Sequence, residues 1–342
     1  MPYAILIILI PILSDHIFGG KTMLKVDLIT GFLGAGKTTF IHRYLNHLKS
    51  QGQKVAIIEN EFGGADVDTA LLKNEEVSIK TLTGVCMCCK GKSMFQSMII
   101  TAAAEGYDRI LVEPSGIYDV DEFFDTMLDP MVSATSEIGS IITIMDATEN
   151  TQLSDEAKYI CFSQLLASGK VVFSKSQLAD PEAIQNTCLY LNQLMKDHGS
   201  NRIFADEDLL IRDWSDLTDD DYLSLMNAGY CILDHKREAL EHEALFQAYC
   251  FASYCRDEES LAQTIRSLFS DSSHGTMFRV KGHIRDLTNQ WFEINCTRDA
   301  FSLRKADVKK GLFVCIGQDL DEAYLRSLFF SKAEAKKLMA ES

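Results

Sequence analysis

From Met23 onward, short apolar runs alternate with longer segments whose apolar residues recur every three or four positions. LKVDLIT, KVAIIEN, SIKTLT, DRILVEPSG, SIITIMDA and KVVFSKS have the length and residue types of strands. KTTFIHRYLNHLKS and KSMFQSMIITAAAEG carry helical spacing. Strands that alternate with helices need crossover connections, so the pattern predicts an α/β domain with a mostly parallel sheet. Runs such as IITIM, apolar at successive positions, fit strands buried on both faces.

The pattern changes after the acidic stretch DWSDLTDDDYLSLMNAG. LFQAYCFASY, TMFRVKGHI, QWFEINC and GLFVCIG read as strands, grouped around the helix patterns DEESLAQTIRSLF and LDEAYLRSLFF. That composition predicts a smaller α+β domain at the C-terminal end. The expected division is 23–215 for the first domain, 216–240 for a linker and 241–342 for the second domain. Ala4 to Leu13, AILIILIPIL, is too short to span a bilayer, and no Lys or Arg precedes it as in a signal peptide. Residues 1–22 are therefore expected to be a mispredicted start or disordered extension rather than a short anchor, with no part in folding or nucleotide binding.

Composition narrows the function classes. Net charge is −16, which argues against a nucleic-acid partner because phosphate neutralisation needs clustered Lys and Arg. A cationic ligand remains compatible with it. The chain has 10 cysteines, of which Cys161, Cys188, Cys231, Cys250, Cys255, Cys296 and Cys315 are scattered and read as small core residues. A disulfide framework does not suit a chain of this size, so a reducing, cytoplasmic setting is expected.

The chemistry concentrates at strand ends. Gly31-Phe-Leu-Gly-Ala-Gly-Lys37-Thr38 matches G-x-x-x-x-G-K-[ST] between a strand and a helix, the context a phosphate loop requires. Gly31, Gly34, Ala35, Gly36, Lys37, Thr38 and Thr39 are the expected phosphate-binding residues. There, Lys37 would reach the terminal phosphates and Thr38 would offer its hydroxyl to Mg²⁺. DRILVEPSG ends a strand with Glu113, the expected second Mg²⁺ partner, and Gly116 offers a backbone N–H to a γ-phosphate. IENEFGGADVD crowds Glu59, Glu61, Asp66 and Asp68 around a Gly-Gly turn, as a segment sensing that phosphate would. Glu61 and Asp68 are candidates to orient the attacking water.

GVCMCCKG places Cys86, Cys88 and Cys89 within four positions. Three thiolates on one short stretch favour Zn²⁺ and Cu⁺ over Mg²⁺ and Ca²⁺. Adjacent thiols can also form disulfides or sense oxidants, and buried packing is a third reading.

GFLGAGKTT, IENEFG, the C-x-C-C cluster and the E-x-S-G strand end, in that order, resemble the CobW-type metal-chaperone GTPases. These are related to the nickel-insertion GTPases of urease and hydrogenase maturation. TMFRVKGHI, Trp291 and LFVCIG resemble that family's carboxy-terminal domain. The resemblance implies GTP hydrolysis, a zinc- or cobalt-like ion at the cysteine motif, and delivery to an unidentified client protein. Glu59, a water or a client group would complete the thiolate set, since a closed zinc site takes four ligands. Two positions depart from the family. Gly64 stands where a Glu often follows NEFG. The base-reading stretch is Ser174-Lys175-Ser176-Gln177, with Gln177 in place of aspartate. Guanine preference is accordingly expected to be weakened. An ATPase or kinase with a redox-sensing thiol cluster, and a non-catalytic metal buffer, are the alternative readings. The oligomeric state stays open.

Overall fold

The computed structural model describes residues 23–61, 78–83, 91–148, 153, 155–232, 247–298, 300–308 and 311–341. Residues 1–22, Gly64, Asp66, Asp68, Cys86, Cys88 and Cys89 lie outside the described residues, as does the side chain of Glu61.

Seven parallel strands form the first sheet: β1 Leu24–Thr30, β2 Val55–Glu61, β3 Ser78–Thr83, β4 Arg109–Glu113, β5 Ser136–Asp146, β6 Lys170–Ser174 and β7 Leu209–Leu210. Their order is β3-β2-β4-β1-β5-β6-β7. The helices are α1 Lys37–Ser50, α2 Lys92–Ala104, α3 Asp121–Met127, α4 Pro130–Ser133, α5 Asp155–Ala167, α6 Pro181–Asp197 and α7 Asp219–Met226. Side-chain alternation explains why the strands read as unbroken apolar runs. Ala56, Ile58, Ile110 and Val112 face a core built with Phe95, Ile99 and Phe123 from α2 and α3. Val55, Ile57 and Leu111 face the opposite core, with Phe40, Ile41 and Tyr44 of α1.

The expected linker at 216–240 is corrected for most of its length. Thr218 caps α7, accepting from Asp221 N–H while the Asp221 carboxylate accepts from Thr218 N–H. The acidic run that suggested a solvated linker is thus a helix first turn, where negative charge complements the helix dipole. Leu225 is fully buried against the first sheet. Past the helix, Ile141 N–H donates to Gly229 O at 2.8 Å and Cys231 N–H to Ala167 O at 3.0 Å. Residues 216–232 therefore belong to the first domain's packing.

The second sheet comprises β8 Gln247–Phe251, β9 Tyr254–Cys255, β10 Thr276–Asp286, β11 Trp291–Thr297, β12 Phe301–Ala306 and β13 Phe313–Gln318. Its order is β12-β11-β10-β13-β8, with β9 beside β10. Helix α8, Glu258–Ser270, buries Leu261, Ile265 and Leu268 against one face, on Val280, Ile284 and Ile294. Helices α9 Glu322–Leu328 and α10 Lys332–Glu341 close the chain. The second face carries Val314 and Ile316, which meet Leu33 of the first domain. Four of the scattered cysteines, Cys161, Cys255, Cys296 and Cys315, are buried. Burial pushes the Cys255 thiol up to about 12, which keeps it unreactive.

One buried ion pair ties the first sheet together away from its phosphate end. Arg109 Nη1 donates to Asp27 Oδ1 at 2.6 Å, and Asp27 also accepts from Ser140 N–H and the Tyr44 hydroxyl. Burial pushes the Asp27 carboxyl up, and Arg109 and the two other donors oppose it. Breaking a buried pair from one side strands a charge, which costs about 3–5 kcal/mol. Asp27→Asn and Arg109→Met should each lose stability of that order. The double variant should lose clearly less than the sum. Urea unfolding of the four chains measures this coupling, and additive losses would show that the pair does not act as a unit.

Candidate nucleotide site

The strand order places β1 between β4 and β5, while the chain leaves β1 for β2 on the far side of β4. Connections diverge there, opening a crevice at the carboxyl ends of the strands. The phosphate loop leaves β1 at that point. Gly31, Gly34 and Gly36 all have positive φ, which lets the loop turn tightly into α1. The Lys37 ammonium folds back over the loop, donating to Gly31 O at 2.8 Å and Phe32 O at 3.2 Å. It is thereby held beside the backbone N–H groups and the α1 N-terminus that suit an anion.

Glu113 ends β4, the strand next to β1. The Thr38 hydroxyl donates to Glu113 Oε1 at 2.7 Å across 75 residues of sequence. A hydroxyl and a carboxylate brought together at the phosphate loop form the oxygen pair that Mg²⁺ prefers. The donor set therefore fits that ion.

Beyond Glu113 lies Glu59. In the parallel β2–β4 pairing, Glu59 is the residue in register with Glu113, and on the other side it is in register with Thr81 of β3. Both carboxylates are buried, Glu59 at 2% exposure and Glu113 at 8%. Two positions on, Glu61 pairs with Thr83, the last residue of β3. Cys86 follows Thr83 by three positions in sequence. Among the described residues, no group of three or more His, Cys, Asp or Glu side chains could hold a metal ion.

Gly116 lines the same pocket as Lys37, Glu59 and Glu113. A side chain there would not fit, because a Cβ would lie 2.7 Å from Leu33 N. Thr39 is exposed on α1, and Ala35 is buried beneath the loop. At the other end, Ser174 is buried, Lys175 has a left-handed φ of 55°, and Gln177 is exposed. The Lys175 ammonium pairs with Asp146 at the end of β5.

Several residues at this site escaped the sequence reading. Asp146 is one, although its place at the end of SIITIMD carried a signal. Trp214 is another. Its indole N–H donates to Phe173 O at 2.9 Å and its ring packs on Phe40 at 5.5 Å. It thereby stands beside Gly36 and Ser174, between the loop and the base-reading turn. Phe32 and Leu33, two of the variable positions of the phosphate loop, pack against the second domain. Phe32 meets Phe278 of β10 edge-on at 5.9 Å, and Leu33 packs on Val314 and Ile316.

The family described as CobW/HypB/UreG, nucleotide-binding domain, matches residues 25–200. The chain is 33% identical over 164 residues to the zinc chaperone YeiR of Escherichia coli, covering 48% of this chain and 50% of that protein. It is 30% identical over 163 residues to the zinc chaperone YjiA of the same organism, covering 46% and 50%. It is also 28% identical over 183 residues to the zinc-regulated GTPase metalloprotein activator 1 of Schizosaccharomyces pombe, covering 50% and 44%. The chain spans about half the length of the curated relatives it matches. The matched region, more than half of the 342 residues, runs from the first strand through the phosphate loop, Glu113 and the Lys175 turn, and by it the chain belongs to the CobW/HypB/UreG family.

Proposed function

We propose that the chain is a metal-binding GTPase that hydrolyses GTP to GDP and phosphate and uses the cycle to pass a zinc- or cobalt-like ion to a client protein. The observation that carries this reading is the row Thr38, Glu113, Glu59. It joins the phosphate loop, through two buried carboxylates in register, to the strand that precedes the cysteine motif. Relatives named as zinc chaperones and as a zinc-regulated GTPase support the same cargo and nucleotide.

The roles follow from chemistry. Lys37 and the loop N–H groups bind the phosphates and stabilise charge as the γ-phosphate departs. Gly116 adds a backbone N–H at that phosphate. Thr38 and Glu113 would hold Mg²⁺, which neutralises phosphate charge when bound. Glu61 and Asp68 are the candidates to orient the attacking water. Cys86, Cys88 and Cys89 take the cargo ion as thiolates, and Glu59 adds a carboxylate oxygen to it in one nucleotide state. A cytoplasmic setting keeps those thiols reduced. Among the described residues no helix is long and apolar enough to cross a membrane.

The direct test is GTP turnover with and without Zn²⁺ or Co²⁺. Metal affinity should differ between the triphosphate and diphosphate states, followed by Co²⁺–thiolate absorption. Linkage then requires that the metal alter triphosphate affinity by the same factor. Replacing Cys86, Cys88 and Cys89 together with serine should abolish that difference and leave nucleotide binding intact. Equal metal affinity in both states would sink the chaperone reading.

Removing one metal-binding hydroxyl should be felt chiefly by the triphosphate. Thr38→Ala is expected to slow Mg²⁺-dependent turnover by about 100-fold, the scale of losing one preorganised transition-state contact. Turnover unchanged at saturating Mg²⁺ would remove Thr38 from the site.

The exposed Gln177 offers guanine one neutral acceptor where an aspartate would accept two charge-assisted hydrogen bonds. Those contribute about 1.5–3 kcal/mol against about 0.5–1.5 for neutral ones. GTP-over-ATP preference should therefore be modest and should rise about 5- to 10-fold in Gln177→Asp. Competition binding measures it, and strong GTP selectivity in the unmodified chain would show that other groups read the base.

A further inference from the structure

The pocket that holds Lys37, Glu59 and Glu113 is not built by the first domain alone. Its wall includes Arg279, Lys281 and Ile316, all from the second sheet. Residues 279 and 281 are two apart on β10, so their side chains leave the same face of that sheet. Val280 between them points the other way, into the core under α8. In register, Arg279 pairs with Ile316 and Lys281 with Val314 on β13. Val314 and Ile316 are the residues that grip Leu33 of the phosphate loop. One face of one sheet thus both seats the loop and presents two cations to the phosphate crevice.

Burial and charge give these cations a purpose. Lys281 is only 7% exposed and lines this pocket together with Glu59 and Glu113. Arg279 donates from Nη2 to Asn295 Oδ1 at 3.1 Å, which fixes the guanidinium plane. Its buried Nε has no hydrogen-bond acceptor among the described residues. A nucleoside triphosphate brings roughly four negative charges, and Glu59 and Glu113 already place two carboxylates in the pocket. Lys37 and one divalent ion leave that total well short of neutral. Arg279 and Lys281 add two further positive charges to the same pocket.

We propose that Arg279 and Lys281 of the second domain contact the γ-phosphate in cis, so that the second sheet is held to the phosphate loop more firmly by triphosphate than by diphosphate. The proposal rests on reading this pocket as a triphosphate site. It assigns the carboxy-terminal sheet to the nucleotide as a sensor, and not solely to client or metal.

The experiment uses the full chain with Arg279→Gln and Lys281→Gln, singly and together. Affinities are measured for a fluorescent GDP and for a fluorescent, non-hydrolysable GTP analogue, alongside single-turnover hydrolysis. We expect triphosphate affinity or hydrolysis to fall at least ~10-fold while GDP affinity stays within ~2-fold, the selectivity of lost charge-assisted contacts to one phosphate. Lys281→Arg should recover most of the loss. Equal losses for both nucleotides, or no loss, overturn the inference. Should a glutamine variant fail to fold, the unmodified chain still decides. Amide hydrogen exchange across 278–282 must be slower with the triphosphate analogue than with GDP, and equal exchange overturns it. A chain that binds neither nucleotide overturns the GTPase reading and this inference together. A chain that binds both without selective loss overturns the inference alone.

Discussion

The constraint on which the rest of the molecule depends is the lack of room around the phosphate loop. Its backbone is pressed from below by β5, from one side by Gly116 and from above by the second sheet. A Cβ at Gly34 would lie 2.7 Å from Thr297 Cγ2, and one at Gly116 would strike Leu33 N. Close-packed contacts of this kind do not deform continuously; they shift between discrete arrangements. At this loop Phe32 packs on Phe278, and Leu33 on Val314 and Ile316. Two of the variable positions of the phosphate motif thus form the contact between the two sheets.

Charge is arranged with the same economy. The chain carries a net charge of −16 overall, yet Lys37, Arg279 and Lys281 converge on one small crevice with two carboxylates. Burying carboxylates so close together is unfavourable unless cations accompany them. At the opposite end of the sheet, Asp27 and Arg109 solve a similar problem with a permanent internal partner. A closed pair such as Asp27–Arg109 has no use for a ligand. The crevice at the strand ends is instead an open pocket lined by Lys37, Glu59, Glu113, Arg279 and Lys281.

The parallel sheet was legible because each strand is buried on both faces, and Ile57, Ile58, Leu111 and Val112 sit in alternate cores as their unbroken apolar runs require. The sequence points to Lys37 and Thr38 because a phosphate loop fixes residue type and spacing within a few positions, and to Glu113 because it ends a strand of the same sheet. Contacts between distant segments were not. By composition DWSDLTDDDYL reads as a solvated linker, and its local helix signal is confined to the Thr218-x-x-Asp221 capping pair that heads the helix burying Leu225. Arg279 and Lys281 sit in a strand whose alternation is consistent with a half-exposed sheet. Only the docking of β10 and β13 on the phosphate loop reveals what covers that face. Long-range juxtaposition leaves no periodic signature.

A thiolate-bound ion is hard to release, and the register of the sheet suggests how little is needed to change that. Glu59 lies between Glu113, which bonds Thr38, and Thr81, on the strand leading toward the cysteines. A hundredfold change in metal affinity corresponds to about 2.7 kcal/mol. That is the scale of one hydrogen bond or ligand contact to a charged group. A single carboxylate that is committed to the magnesium side in one nucleotide state and available to the cargo in the other would supply it, without any large domain movement. Because coupling free energies are reciprocal, the same carboxylate would let the cargo ion report its presence to the nucleotide.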